Sequence, residues 1–192
     1  MTIVFASNNK EKIKEVKSIL SDFNVLSLSD IGFADHINES GITFSENSFI
    51  KAKTVSLVTS YPVLADDSGL SCEALGGLPG VHSKRFSKEG TSLSNNLLLL
   101  DKLKEKTNRN ASFICSMTFI YKDKIINEEA KVNGIITKDF RGPRNFGYDP
   151  LFLIPKFNKT LAELGPIVKN KLSHRALALN KIKGKIYEIL SL

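Results

Sequence analysis

Ala65-Asp66-Asp67-Ser68-Gly69-Leu70 sets two neighbouring carboxylates, a hydroxyl and a glycine at the end of a short apolar run. Acids at the carboxyl end of a strand that opens into a loop suit magnesium binding and activation of a water. Val63-Leu64-Ala65, after Pro62, has the character of a short buried strand, and Gly69 with Gly76-Gly77-Leu78-Pro79-Gly80 reads as the break that follows it. Neighbouring strand residues point to opposite faces, so one carboxylate can face a cleft while the other faces the packed interior. A plain Asp-Asp-Ser-Gly turn has the same composition, and taken alone the segment favours that reading.

A second candidate is the turn Ser7-Asn8-Asn9-Lys10-Glu11-Lys12, between a buried strand and a helix start. Amide groups at a helix N-terminus favour phosphate oxygens, and Lys12 adds a full charge; simple capping by Ser7, Asn8 or Asn9 uses the same residues. The turn lacks the glycines of a Walker loop or a dinucleotide fingerprint. Glu39 is placed to share a cation with Asp67, or else is a solvated loop residue. Lys51, inside a helix, either binds phosphate or lies on a solvated face. Phe146-Gly147-Tyr148-Asp149-Pro150 combines a flexible glycine with aromatics suited to stacking on a base, or anchors a packed loop. Ser173-His174-Arg175 offers donors at a helix start. His36, His82 and His174 show no zinc-protease spacing, and no Gly-x-Ser-x-Gly elbow is present.

The elements that must carry these residues alternate. A strand over 2–6 precedes a helix from Lys10, with Ile13, Val16, Ile19, Leu20 and Phe23 at helical spacing and lysines and glutamates between them. A second helix is predicted from Glu46 to about Ser60, with Phe49, Ala52 and Leu57 inward, then the strand 63–67, then a helix from Ser92 to Lys104 carrying Leu93, Leu97, Leu98 and Leu100. Phe113 to Tyr121 alternates as a long strand; Lys122-Asp123-Lys124 reads as a turn into 125–131, and Asn133-Gly134 as a turn or bulge. Residues 141–150 form a loop before a strand over 151–154, and a helix from near Ser173 leads into a last short helix through Leu190. This is an α/β chain with a mixed central sheet and flanking helices.

With 192 residues, 42% hydrophobic and 24% charged, the chain suits one domain or two closely packed lobes, and a single domain over 1–192 is expected. No apolar run approaches the ~18 residues of a membrane span. The opening Thr2-Ile3-Val4-Phe5-Ala6 is too short for a signal-peptide core, and Cys72 and Cys115 suggest neither metal site nor disulfide, so a reducing cytoplasm is expected. The net charge of +7 calls for an anionic partner. Lys181, Lys183 and Lys185 lack interleaved aromatics, so small phosphate-bearing ligands explain the charge as well as nucleic acid does.

The order of the motifs is more specific than any one of them. Ser7 to Lys12, Thr43-Phe44-Ser45-Glu46-Asn47 with Lys51-Ala52, the 65–70 segment, Leu75 to Val81, Ser83-Lys84-Arg85-Phe86, Phe146 to Phe152 and Ser173-His174-Arg175 together resemble the inosine triphosphate pyrophosphatase family. The resemblance runs from residue 3 to about 180. It implies two lobes around a substrate cleft, a homodimer, dependence on Mg2+, and hydrolysis of non-standard purine nucleoside triphosphates (ITP, dITP, XTP) to monophosphate and pyrophosphate. It further implies Asp67 as catalytic acid-base and metal carboxylate, with Ser68 beside it at the substrate and Glu39 helping to hold magnesium. Ser7, Asn8, Asn9, Lys10, Glu11 and Lys12 would line the triphosphate with Lys51. Phe146, Gly147, Tyr148 and Asp149 would cradle base and sugar, and Lys169, His174 and Arg175 would contact the base. Membrane and nucleic-acid partners are not expected. Two departures from the family pattern are Gly165-Pro166-Ile167-Val168, where relatives carry an acidic stretch, and Asn38-Glu39, where an acidic pair is common. The alternatives are the same fold acting on other modified nucleotides, and a basic nucleic-acid-binding protein.

Overall fold

Alternation of buried side chains along the strands decides which helix covers which side of the sheet. The computed structural model describes residues 1–144 and 146–191, without the side chains of residues 166, 167, 169 and 170. The strands are β1 (Thr2–Phe5), β2 (Asn24–Leu26), β3 (Val63–Cys72), β4 (Asn110–Tyr121), β5 (Lys124–Ile136), β6 (Phe152–Ile154) and β7 (Lys159–Thr160). The helices are α1 (Lys10–Ile19), α2 (Phe44–Ser56), α3 (Ser92–Lys102), α4 (Gly165–Leu172) and α5 (His174–Leu190). The strands form one mixed sheet in the order β2-β1-β3-β4-β5-β6-β7. β1 runs parallel to β2 and β3, and β6 runs antiparallel to β5 and β7.

Two compact units divide the chain: Met1–Asp67, Cys115–Ala130 and His174–Leu192 form the first, Ser68–Ile114 and Lys131–Ser173 the second. In the first, Ile3, Phe5, Leu64, Cys115, Met117 and Phe119 pack with Val16 of α1, with Leu20 that caps it, and with Leu179, Ile182 and Ile186 of α5. Their strand neighbours Val4, Ala6, Val63, Ala65 and Ile120 pack instead with Ala52 and Val55 of α2. In the second unit, Leu70 and Cys72 of β3 join Phe113, Ile136, Phe152, Leu151 and Tyr148 with Leu99 and Leu103.

Several elements differ from their sequence-based bounds. β3 does not end at the acids; it continues to Cys72, because Leu70 and Cys72 find a core of their own. β5 passes through Gly134 unbroken. A Cβ there would lie 2.6 Å from the Leu153 carbonyl oxygen and the Phe152 ring, so the glycine admits β6 rather than making a turn. α2 starts at Phe44 behind a Thr43–Glu46 capping box and buries Phe44, Ser48, Lys51, Ala52 and Val55, leaving Phe49 and Leu57 exposed. α3 ends at Lys102, α4 was not anticipated, and α5 is one helix rather than two. The Lys122-Asp123 turn joins β4 to β5 as expected, with Lys122 at φ 54.

Candidate active site

Asp66 and Asp67 sit mid-strand, so the pleat sends them to opposite faces of β3. Asp67 follows Val63 and Ala65 toward α2, where Lys51 Nζ donates to its Oδ1 at 3.4 Å and to Glu39 Oε2 at 3.0 Å. Lys51 is therefore no solvated lysine: it is buried between two carboxylates of distant sequence. The second oxygen of Asp67, Oδ2, is buried with no hydrogen-bond partner among the described residues. Burial pushes the Asp67 carboxyl above the usual carboxylate range; Lys51 pulls it back part of the way, and Glu39 adds to the rise. Burial also works against the ammonium of Lys51, yet Asp67, Asp66 and Glu39 outweigh it and hold Lys51 above the ordinary lysine value. Three carboxylates support the ammonium, whereas Asp67 has chiefly this ammonium to set against burial and a second carboxylate.

Asp66 follows Leu64 toward α1 and α5. Lys12 Nζ lies 3.0 Å from its carboxylate, and Arg175 Nε donates to Oδ2 at 3.0 Å. Arg175 Nη1 also donates to Glu15 Oε2 at 2.7 Å. Burial alone would raise the Asp66 pKa; Lys12, Arg175 and Lys51 reverse that and hold it far below the usual carboxylate range. Arg175 loses by burial and gains more from Asp66 and Glu15, so it stays charged. Arg175, expected at the base, has two of its donors committed inside the protein. Glu15 escaped the sequence reading, which counted it among the polar residues between apolar positions; its three-residue spacing from Lys12 places both on one helix face and was the available signal.

The turn before α1 is tied down locally. Asn9 is the cap: its Oδ1 accepts from Glu11 N at 3.1 Å and Lys12 N at 3.2 Å. Ser7 Oγ accepts from Asn9 N, and Asn8 Oδ1 accepts from the amide and hydroxyl of Ser29. Lys10 and Glu11 are exposed. On the α2 side, a polar node that sequence reading also missed joins Ser48, Ser116, Thr118 and Asn127, the closest contacts being Asn127 Nδ2 to Thr118 Oγ1 at 2.7 Å and Ser48 Oγ to Thr118 Oγ1 at 2.8 Å. Hydroxyls at the alternate positions 116 and 118, within the otherwise apolar stretch Phe113 to Tyr121 of β4, marked it. The lysines late in the chain are spent internally: Lys181 and Lys183 donate to the carbonyls of Glu129 and Ile19, and Lys185 pairs with Glu128.

In the second unit, Gly147 takes a left-handed φ of 48 within the 146–150 loop. Tyr148 is the anchor of that loop rather than an exposed stacking surface: its ring is in the core and its hydroxyl donates to the Ser83 carbonyl at 2.8 Å. Phe146 is half-buried and Asp149 buried. Ser68, next to Asp67 along β3, is half-buried. Ser173 and His174, of the second and first unit respectively, are buried where α4 gives way to α5. The Lys169 side chain lies outside the described residues.

Residues 3–185 match the Ham1 family. The chain is 44% identical over 192 residues to a dITP/XTP pyrophosphatase of Clostridium tetani, covering 96% of each. It is 43% identical over 185 residues to one of Bacillus subtilis, covering 93% of each. Among solved structures, the Staphylococcus aureus Ham1 protein superposes with a TM-score of 0.89 at 36% identity, covering 97% of this chain and 98% of that one. A HAM1 protein from Coxiella burnetii gives 0.90 at 35% identity, covering 98% and 99%.

Proposed function

The chain belongs to the Ham1 family, and on that premise we propose that it hydrolyses non-standard purine nucleoside triphosphates, with ITP, dITP and XTP as the class, to the monophosphate and pyrophosphate. The observation that carries the chemistry is Asp67: a carboxylate with a raised pKa, one oxygen held by Lys51 and the other without a partner. A raised pKa makes the ionised carboxylate a stronger base, suited to taking a proton from the water that attacks the α phosphorus. Lys51, kept charged by its carboxylates, offsets negative charge that would otherwise repel the nucleophile.

Magnesium belongs to the same proposal. Mg2+ takes one or two protein carboxylates and completes its shell with water and phosphate oxygens. The buried, unpartnered Oδ2 of Asp67, with Glu39 on the same ammonium, fits that donor set. When bound, the ion would neutralise phosphate charge and lower the pKa of a bound water. A homodimer and a cytoplasmic setting complete the reading. Among the described residues no helix is long and apolar enough to cross a membrane.

The test is incubation with ITP and magnesium, with pyrophosphate and orthophosphate measured separately. Pyrophosphate is expected, with activity lost in excess EDTA. Orthophosphate without pyrophosphate would overturn the reaction; full activity in EDTA would overturn the metal. Comparing kcat/KM for ITP, XTP, GTP and ATP tests the substrate class, and ATP matching ITP would overturn it.

A further inference from the structure

Helix α3 spends its inward face in an unusual way. Leu93 and Leu97 are each 52% exposed, while Asn95 and Asn96 are buried at 4% and 2% beside Leu99. Exposing leucine to bury asparagine runs against the hydrophobic effect, so the asparagines must be satisfying partners that the fold cannot leave alone. Those partners are loop backbone. Asn95 Oδ1 accepts from Ser87 N at 2.7 Å, and its Nδ2 donates to the Lys84 carbonyl at 3.0 Å. Asn96 Nδ2 donates to the Ser92 carbonyl at 2.6 Å and to the Gly147 carbonyl at 2.7 Å, 51 residues away. Its Oδ1 is buried with no partner among the described residues. The side chain is therefore kept for its two donors, at the expense of its acceptor.

We infer that Asn96 is a positioning residue that fixes the Gly147 peptide and so sets the selectivity of the 146–149 loop for the base; this rests on the proposed function, in which that loop contacts the nucleoside. Gly147 has a left-handed backbone and, among the described residues, nothing within 4 Å of where a Cβ would lie, so no packing there orients it. A donor on its carbonyl does. Tyr148 anchors the next residue through the Ser83 carbonyl, and Ser83 Oγ accepts from Leu70 N of β3 at 2.8 Å. The loop is thus pinned at two consecutive residues, one to the rigid helix and one to the segment that holds the strand continuing from Asp67. Asn96 touches no reacting atom in this scheme; it acts through Gly147.

Asn96→Asp is nearly isosteric and removes both donors, and Asn96→Ala removes them without adding charge. Each is compared with the parent chain by two measurements. Amide hydrogen exchange of the unliganded protein over residues 146–151 should accelerate in both variants, while exchange in α5 stays as in the parent. In steady-state kinetics KM for ITP should rise about tenfold, the size of one well-made hydrogen bond, with kcat within about threefold. The ratio of kcat/KM for ITP over ATP should fall by a similar factor. KM and that ratio do not depend on how much of a preparation is folded, so a poorly folding variant still gives an answer. Unchanged exchange over 146–151 would overturn the clamp, and loss of kcat alone with parental KM and ratio would overturn its role in selectivity. Failure of the parent chain to hydrolyse ITP is a failure of the proposed function, seen without any variant, and leaves the exchange experiment decisive for the clamp.

Discussion

The two faces of the sheet in the first unit present one type of group, a strand carboxylate, to opposite surroundings. Toward α1 and α5, Asp66 meets Lys12 and Arg175, and Glu15 balances the second cation, so two positive and two negative groups close on one another within an apolar layer. Toward α2, Asp67 meets one ammonium shared with Glu39 and retains an oxygen with no partner among the described residues. One face satisfies its charge and holds the carboxyl ionised; the other under-satisfies it and pushes the carboxyl toward its proton. The lesson is that strand alternation lets a protein keep structural and reactive groups one residue apart without mixing their roles.

The largest effect should come from Asp67→Asn, which nearly preserves volume and removes the base: turnover with ITP should fall by roughly 10²–10⁴. A variant within a few-fold of the parent would move the chemistry away from Asp67 and erase the contrast between the faces. Asp66→Asn should act on stability instead. Removing one partner of a buried ion pair costs about 3–5 kcal/mol, and here Lys12 loses its carboxylate while buried Arg175 loses one of the carboxylates that hold it. Urea denaturation measures it, and a loss under 1 kcal/mol would mean that the quartet is not the lock described.

A smaller effect separates the faces by pH. A carboxyl whose folded pKa is depressed contributes stability above its unfolded pKa of about 3.9, and that contribution is lost as pH falls through the folded value. Asp66 is of this kind. Asp67 has the opposite sign: its raised folded pKa favours the folded state below the unfolded pKa, and this is lost as pH rises through the folded value. Asp67→Asn should therefore be at least as stable as the parent at pH 7, with any advantage shrinking on acidification; denaturation midpoints at pH 7 and pH 4 check the sign. The smallest effect should be Ser48→Ala in the polar node on the α2 face. Losing one hydrogen-bonding hydroxyl should cost about 1 kcal/mol, with ITP turnover changing by less than threefold. A large loss of turnover there would mean that the node, and not Lys51 alone, sets the reactive face.

The faces of β4 were legible in the sequence, because Cys115 to Phe119 alternate by type, whereas Ile3 to Ala6 are apolar throughout and mark only a buried strand. The opposed aspartates follow from the same period, and the convergence of Lys51, Glu39 and Asp67 agrees with the order of motifs. What could not be read is long-range polar pairing. Its three-residue spacing from Lys12 is all that sets Glu15 apart locally from the exposed Glu11 of α1, and its partner Arg175 arrives from 160 residues away. Asn96 likewise looks like a surface residue among leucines, and only the Gly147 carbonyl explains its burial. The end of β3 was misread for a related reason: Gly69 signals a break locally, and the core that keeps the strand going is assembled from β4, β6 and α3.

That separation gives the Asp66–Arg175–Glu15 cluster a timetable during synthesis. β1, α1 and β3 can form as the chain emerges, and Lys12 is on hand for Asp66 from the outset. Until translation has reached Arg175, Glu15 and Asp66 lack a guanidinium that arrives 160 and 109 residues after them. A growing chain that packed this layer early would enclose carboxylates still short of a cation, so hydration should keep the layer open on the ribosome. The ion cluster of this layer is complete only when α5 delivers Arg175 to Asp66 and Glu15.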